Sequence, residues 1–174
     1  MSISRGTLCI CLLVSALTLA GTSWAKNTKT TSPDHAILYN RAVALLDQAQ
    51  QKLNTGDLAG AKTQAKEANS LFTLLKNEYA PLLAERELTP QEEQQLAINQ
   101  KLATDAQAQA DRLMATAAAQ DKQAQELEVQ GREAESKALY RQSKDGYNRA
   151  QNLYIKSSIY ALRNQQRIFR FLAP

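Results

Sequence analysis

Small and apolar side chains recur every seven residues along the second half of this 174-residue chain. One row consists of Leu96, Ala103, Ala110, Ala117 and Ala124, and the next of Tyr140, Tyr147, Tyr154, Ala161 and Ile168. A seven-residue period keeps one face of an α-helix against a neighbouring helix, whereas a half-buried strand needs a period of two. Because alternating runs of Val, Ile and Thr are absent from the sequence, it predicts an all-α protein.

Gly131 separates the two rows and predicts the turn of a long antiparallel hairpin. Large residues opposite small ones would fill the seam of a coiled coil while keeping the helices close. The tyrosine row is alternatively a platform for a ligand. If the chain reverses at Gly131, we expect five facing pairs: Ala124–Tyr140, Ala117–Tyr147, Ala110–Tyr154, Ala103–Ala161 and Leu96–Ile168.

A shorter hairpin is predicted before it. Apolar residues at helical spacing begin after Pro33 and stop at Asn54, where Asn-Thr-Gly-Asp breaks the helix. Asp57 is placed to cap the next helix. We expect Pro81 to kink or end that second helix, because proline lacks the N–H that an interior helical position donates.

The four-residue segment Thr89-Pro90-Gln91-Glu92 is a capping box with proline at the first helical position. It predicts the start of a helix of about 40 residues, and Gly131 separates that helix from a similar one that reaches the C-terminus. The expected fold is therefore two antiparallel helical hairpins of about four helices. The N-terminal hairpin occupies 33–88, and the long, coiled-coil-like one occupies 89–174.

The N-terminus has the pattern of a secretory signal peptide. Arg5 precedes a continuous apolar stretch of 13 residues, Leu8–Ala20, and Ser23-Trp24-Ala25 places small residues where signal peptidase requires them. Cleavage after Ala25 would remove 1–25 and leave a flexible polar lead at 26–32. An uncleaved anchor is the alternative, although the apolar stretch is shorter than the ~20 residues that span a bilayer.

Cleavage would place the protein in the periplasm or outside the cell. Cys9 and Cys11, the only cysteines, would leave with the signal peptide, so no disulfide is expected in the mature chain. No other apolar stretch of the sequence approaches membrane-spanning length, and we therefore expect no transmembrane segment after cleavage.

Charge is unevenly distributed over the long hairpin. Residues 89–130 have a net charge of −4 and residues 131–174 a net charge of +6, so the two helices attract each other. A basic row, defined as Arg149, Lys156, Arg163 and Arg170 with Arg167 beside it, follows the last helix. It predicts a docking surface for an acidic partner, anionic lipid or envelope polymer; the alternative is a solvated helix face.

Two phenylalanines lie at the C-terminal end of the basic row. Phe169 and Phe171 stand in the segment Ile-Phe-Arg-Phe-Leu and are candidates for contact with a partner. They are alternatively packed back on the first or second helix.

Residue types for catalysis are scarce. His35 is the only histidine, and the sequence contains neither a zinc-binding His pair nor a glycine-rich phosphate-binding motif. The acidic pairs Glu85/Glu87 and Glu133/Glu135 are two residues apart, so their carboxylates point to different helix faces. We therefore expect no enzyme activity, no cofactor and no metal site. Nucleic acid is not an expected partner, because the chain is predicted to be exported and helix three beside the basic row is acidic.

The segment AQQKLNTGDLAGAKTQAKEA around Gly56 resembles a tetratricopeptide hairpin, with a small residue, a turn glycine followed by Asp57, and further small residues. The residues around Gly131 are similar, with Ser136, Tyr140 and Ser143 at the corresponding offsets. The chain also looks like alanine-rich helical-hairpin proteins of the bacterial envelope. Both resemblances imply a protein-binding scaffold. The two glycines lie 75 residues apart, so a regular superhelix of consecutive repeats is not implied.

The sequence thus favours an exported, non-enzymatic adaptor or scaffold that contacts another envelope protein through helix surfaces. One alternative is a periplasmic holdase-like chaperone. The other is a peripheral binder of anionic membrane or envelope polymer through the basic row.

Overall fold

Residues 33–173 form four α-helices in two antiparallel hairpins, which confirms the predicted fold class. A computed structural model describes residues 33–173, so the predicted signal peptide and the lead at 26–32 lie outside the described residues. No strand occurs in the described range. The elements are α1 (Pro33–Asn54), α2 (Leu58–Glu85), α3 (Pro90–Val129), α4 (Glu133–Ile168) and a 3₁₀ turn, η1 (Arg170–Leu172).

Both tight turns use a glycine in the left-handed region. Gly56 has φ +82° and Gly131 has φ +75°, a conformation that costs other residues steric energy. After Gly56, the carboxylate of Asp57 accepts the backbone N–H of Gly60 at 2.8 Å and caps α2. These local signals confirm the predicted breaks between α1 and α2 and between α3 and α4.

The start of α3 is the predicted capping box. Thr89 accepts the backbone N–H of Glu92, and the carboxylate of Glu92 accepts the backbone N–H of Thr89 at 3.0 Å. That second hydrogen bond is the main reason why the pKa of Glu92 is lowered. The prediction that Pro81 could end α2 is wrong, since the helix continues to Glu85. Because Pro81 is exposed, water can reach the carbonyl that has lost its N–H partner.

The hydrophobic core is shared by both hairpins. It joins α1 and α2 to the C-terminal half of α4 and to η1, and its most enclosed side chains include Leu46, Phe72, Leu75, Ile159 and Phe169. α3 contributes no residue to this cluster. Among the described residues, no Cα atom of α1 or α2 comes within 8 Å of a Cα atom of α3. α4 is therefore the central helix, and α3 packs on it alone.

Arg86 holds the connection between the hairpins in place. Its guanidinium donates to the backbone carbonyl of Ile168 and to the carboxylate of Glu92, the latter at 2.6 Å. It also lies 5.5 Å from the ring centroid of Phe171. The start of α3 and the end of α4 are thereby fixed to each other.

The seam between α3 and α4 uses a different row of α4 from the predicted one. Ser157 donates its hydroxyl to the carbonyl of Ala103 at 2.8 Å, and Asn164 donates its amide to the carbonyl of Leu96 at 3.0 Å. At these two contacts the α3 residue faces a position one helical turn earlier on α4 than expected, whereas Ala117 approaches Gly146, one residue from the expected Tyr147. The seam row of α4 consists of Ser136, Ser143, Ala150, Ser157 and Asn164.

The predicted pairing of large with small residues is therefore wrong, because small residues line both sides of the seam. Ala110, Ala117 and Ala124 of α3 are fully buried, and the buried residues of α4 on this seam are Ser136, Ser143 and Ala150, whereas the three tyrosines are only half-buried. A Cβ added at Gly146 would lie only 3.0 Å from the Cβ of Ala117, which shows how closely the helices approach. At Gly146 this approach leaves no room for a large side chain between the helices.

Candidate partner-binding surfaces

The tyrosine row, defined as Tyr140, Tyr147 and Tyr154, lies along the edge of the seam and is half-buried. Each hydroxyl donates to an acidic residue of α3. The partner of Tyr140 is Glu128 at 3.0 Å, that of Tyr154 is Asp111 at 2.5 Å, and that of Tyr147 is Asp121. The acidic character of α3 therefore has a structural use, since its carboxylates fix the tyrosine rings of α4.

These contacts raise the pKa of all three hydroxyls above the ordinary tyrosine value. Desolvation is the first cause for Tyr140 and Tyr147, followed by the hydrogen bond to the carboxylate. For Tyr154 the hydrogen bond to Asp111 comes first. A tyrosinate could not donate this bond and would be repelled by the carboxylate, so the neutral form is favoured.

A groove runs beside the tyrosine row, between α2 and α3, with α4 at its base. It exists because α2 packs on α4 without approaching α3. Its volume is about 760 Å³. We call it the α2–α4 groove; it is lined by Lys62, Ala65, Lys66, Asn69, Met114, Tyr147, Gln151, Tyr154, Ile155, Ser158, Ala161, Leu162 and Gln165.

The base of the α2–α4 groove is long, apolar in its deepest part and uncharged. It extends along α4 from Tyr147 to Gln165, or about 27 Å at 1.5 Å per residue. Ile155 and Leu162 are buried at the bottom, whereas Ala161 is exposed. The two tyrosine rings in this base are held by their hydrogen bonds to α3, so their positions are set before any partner arrives.

The rim on the α2 side carries two lysines. Lys62 and Lys66 are exposed and one helical turn apart, and neither makes an ion pair within residues 33–173. The rim on the α3 side presents Met114, which is also exposed. The groove therefore combines an apolar base with one cationic rim.

Most of the predicted basic row is exposed to solvent. Arg149, Lys156, Arg167 and Arg170 make no ion pair in the part of the chain that the structure describes. Arg163 is different, since its guanidinium pairs with Asp47 of α1 at 2.8 Å. Arg163 therefore helps to join α4 to α1.

The basic row and the α2–α4 groove lie on opposite sides of α4. Arg149 follows Tyr147 by two residues, which is about 200° around a helix. Its side chain lines a separate depression with Gly56 and Leu113. The structure thus offers two distinct candidate surfaces, one apolar with a lysine rim and one basic.

The two C-terminal phenylalanines have different surroundings. Phe169 is only 1% exposed and packs on Phe72 of α2, so the alternative of packing back on the N-terminal hairpin is the one that the structure shows for it. Phe171 is 38% exposed and makes an edge contact with Tyr79, with ring centroids 5.5 Å apart. Of the two candidates for partner contact, only Phe171 reaches the surface.

The histidine is engaged in a structural contact. The Nδ1 atom of His35 lies 2.7 Å from the hydroxyl of Tyr79, which joins the start of α1 to α2. Within residues 33–173, no group of three His, Cys, Asp or Glu side chains is arranged to hold a metal ion. The described helices also include none with the length and apolarity needed to cross a membrane.

Comparison with known proteins adds no family. No family model matches the sequence, and neither the curated proteins nor the solved structures include a significant match. The resemblance to tetratricopeptide hairpins therefore stays a prediction.

Sequence reasoning did not find the two lysines of the rim. Their signal was present, because Lys62 and Lys66 each follow a small residue, Ala61 or Ala65, at the helical spacing of a packing face, and both alanines are buried. A cation directly after a packing residue lies at the border of the buried face. Whether that border faces solvent or a groove depends on how α2 lies against α4.

Proposed function

We propose that the protein is a non-enzymatic helical adaptor, exported to the periplasm or beyond, that binds a helical segment of another envelope protein. The α2–α4 groove is the observation that carries this proposal. Laying a helix into an apolar groove is a recurrent mode of recognition, in which side chains on one face of the bound helix enter the groove.

The dimensions and the tyrosines of the groove support a helical partner. Its base of about 27 Å on α4 has the length of an 18-residue helix. Tyr147 and Tyr154 are one heptad apart, and tyrosine is among the residues that dominate binding energy at interfaces. Because their hydroxyls are already bonded to α3, a partner would order few side chains on binding.

The proposal is tested by filling the groove. Ala161→Trp places a large ring on an exposed position of the base, so the fold should be kept. Ala119→Trp is the matched control, since Ala119 is exposed on α3 and lies two residues, about 200°, from the seam residue Ala117. In pull-downs from extracts of cells that produce the protein, wild type and Ala119→Trp should capture the same partner, and Ala161→Trp should lose it.

Circular dichroism would verify that both variants keep the wild-type helix content and melting temperature. Equal capture of the same proteins by wild type and Ala161→Trp would contradict the proposal. A holdase-like chaperone makes a different prediction, because it would suppress aggregation of unrelated unfolded proteins whether or not the groove is filled.

The exposed basic row favours a second candidate function, which is binding to an anionic membrane or envelope polymer. Arg149, Lys156, Arg167 and Arg170 are free of ion pairs within the described part of the chain. The first three lie on one side of α4, and Arg170 follows in η1. This surface is separate from the groove, so an adaptor could use both.

A further inference from the structure

The charges around the α2–α4 groove point to the chemistry of its occupant. We infer that it is an amphipathic helix with an acidic edge, bound so that this edge lies along Lys62 and Lys66 of α2. The inference rests on the proposed function, because it names the partner class for the same groove.

The cationic rim has no counter-charge in the groove itself. The thirteen lining residues include two lysines and no carboxylate. Lys62 and Lys66 are spaced i,i+4, so two carboxylates one turn apart on a partner helix could pair with both. Such pairs add specificity and orientation to binding that is driven mainly by apolar contact.

The opposite wall explains why only one edge of the partner should be acidic. Met114 is the α3 residue that lines the groove, and one turn before it Asp111 accepts the hydroxyl of Tyr154, which also lines the groove. The whole of α3 has an excess of carboxylates. An acidic residue on that edge of the partner would be repelled, whereas a neutral or basic one would be accepted.

The base requires an apolar face on the same helix. Tyr147, Tyr154 and Ala161 are spaced seven residues apart along the groove, and none of the α4 residues in the base is charged. A helix with leucines at i, i+3, i+4 and i+7 would cover them, with its acidic residues to one side. A helix with carboxylates on both sides, or without a leucine face, does not match these walls.

The inference can be tested with two synthetic helical peptides of about 18 residues. Both have a leucine face, and they differ only in carrying glutamates or lysines on the edge that would face α2. Fluorescence anisotropy would measure the Kd of each labelled peptide for the full-length protein at low and at physiological salt. The acidic peptide should bind roughly fivefold to tenfold more tightly than the basic one, with the difference reduced by salt.

Charge reversal identifies the residues responsible. The variant Lys62→Glu/Lys66→Glu should reverse the preference, so that the basic peptide binds more tightly. The control Lys122→Glu/Lys144→Glu changes the net charge equally, at exposed positions that do not line the groove, and should keep the wild-type preference. Ala161→Trp should raise the Kd of both peptides.

The outcomes separate this inference from the proposed function. Equal binding of the two peptides to wild type, or an acidic preference that survives Lys62→Glu/Lys66→Glu, would overturn the inference and leave a groove that binds helices without regard to charge. Failure of both peptides to bind would also overturn it, while the pull-down with Ala161→Trp would still decide the proposed function. A wild-type dimer in sedimentation experiments that Ala161→Trp dissociates would identify a second copy as the occupant and overturn the assignment to a partner helix.

Discussion

The ring of Phe169 stacks on the ring of Phe72, with centroids 6.2 Å apart and planes inclined by 11°. Phe72 lies in the middle of α2, and Phe169 follows directly after the end of α4. Phe169 thus closes the core where α4 ends, and Leu172 in η1 is also buried. Phe169 and Leu172 are therefore part of the core of the first hairpin.

Phe169→Ala should therefore destabilise the protein strongly. Loss of a fully buried phenylalanine costs about 3–5 kcal/mol in the free energy of unfolding, which urea denaturation would measure. Phe171→Ala is the matched control, since Phe171 is 38% exposed and should cost clearly less. Similar losses in both variants would show that Phe169 is not packed on Phe72 as described.

Because α3 and α4 approach closely at their seam, a larger side chain there should strongly destabilise the fold. Ala117→Leu should lower the free energy of unfolding by about 1–3 kcal/mol, because the helices would have to separate at Gly146. Ala119→Leu, two residues away on the exposed side of α3, should change it little. Thermal unfolding followed by circular dichroism would compare them. A wild-type melting temperature for Ala117→Leu would mean that the seam is not built on small residues.

The tyrosine row predicts a loss of stability at alkaline pH. Because folding raises the pKa of Tyr140, Tyr147 and Tyr154, their contribution is complete below pH ~10 and is lost as the pH rises through the folded-state values. The free energy of unfolding, measured between about pH 8 and pH 11, should fall more steeply for wild type than for the variant with all three tyrosines changed to phenylalanine.

Tyrosines outside the row do not affect the comparison of the pH dependence of wild type with that of the triple variant. Burial also raises the pKa of Tyr39 and Tyr79, but both are present in wild type and variant. Parallel curves for the two proteins would show that the hydrogen bonds to Glu128, Asp121 and Asp111 do not couple to folding.

The basic row predicts binding to anionic vesicles. Phosphatidylglycerol vesicles should co-sediment wild-type protein at low salt, and Lys156→Glu/Arg167→Glu should reduce the partition coefficient by about tenfold or more, at ~1 kcal/mol for each basic residue near the surface. Lys122→Glu/Lys144→Glu is the control of equal net charge. If the two double variants bind equally, the row is only a solvated helix face.

Local signals in the sequence were sufficient to predict where the helices begin and where the two glycine turns lie. The capping box at Thr89, the glycines at 56 and 131 and the cap at Asp57 each act within a few residues, so their effect can be read without knowledge of the fold. The possibility that Pro81 ends α2 was wrong, because Pro81 is exposed and its exposure depends on tertiary packing, which the sequence does not show.

The sequence did not determine which row of α4 faces α3 in the long hairpin. Two rows of α4, one beginning at Ser136 and the other at Tyr140, both repeat every seven residues and lie one turn apart. The expectation that large residues fill the seam favoured the tyrosine row. In the structure, alanines and serines approach closely in the seam, and the hydroxyls of Tyr140 and Tyr154 donate to carboxylates of α3 at its edge. The groove was beyond prediction for a related reason, because it is a gap between α2 and α3 that only their separate packing on α4 creates.

Because the seam between α3 and α4 repeats every seven residues, the long hairpin can be lengthened by whole heptads. From Ala103 to Ala124 each heptad of α3 presents an alanine, and from Ser136 to Ser157 each heptad of α4 presents a serine or an alanine. The shared core lies around Ile159 and Phe169, near the other end of the hairpin. Seven residues inserted into both helices close to Gly131 would therefore extend the hairpin by about 10 Å and leave the core and the groove unchanged. The distance between the α2–α4 groove and the Gly131 turn can thus change in steps of one heptad without any change in the residues that line the groove.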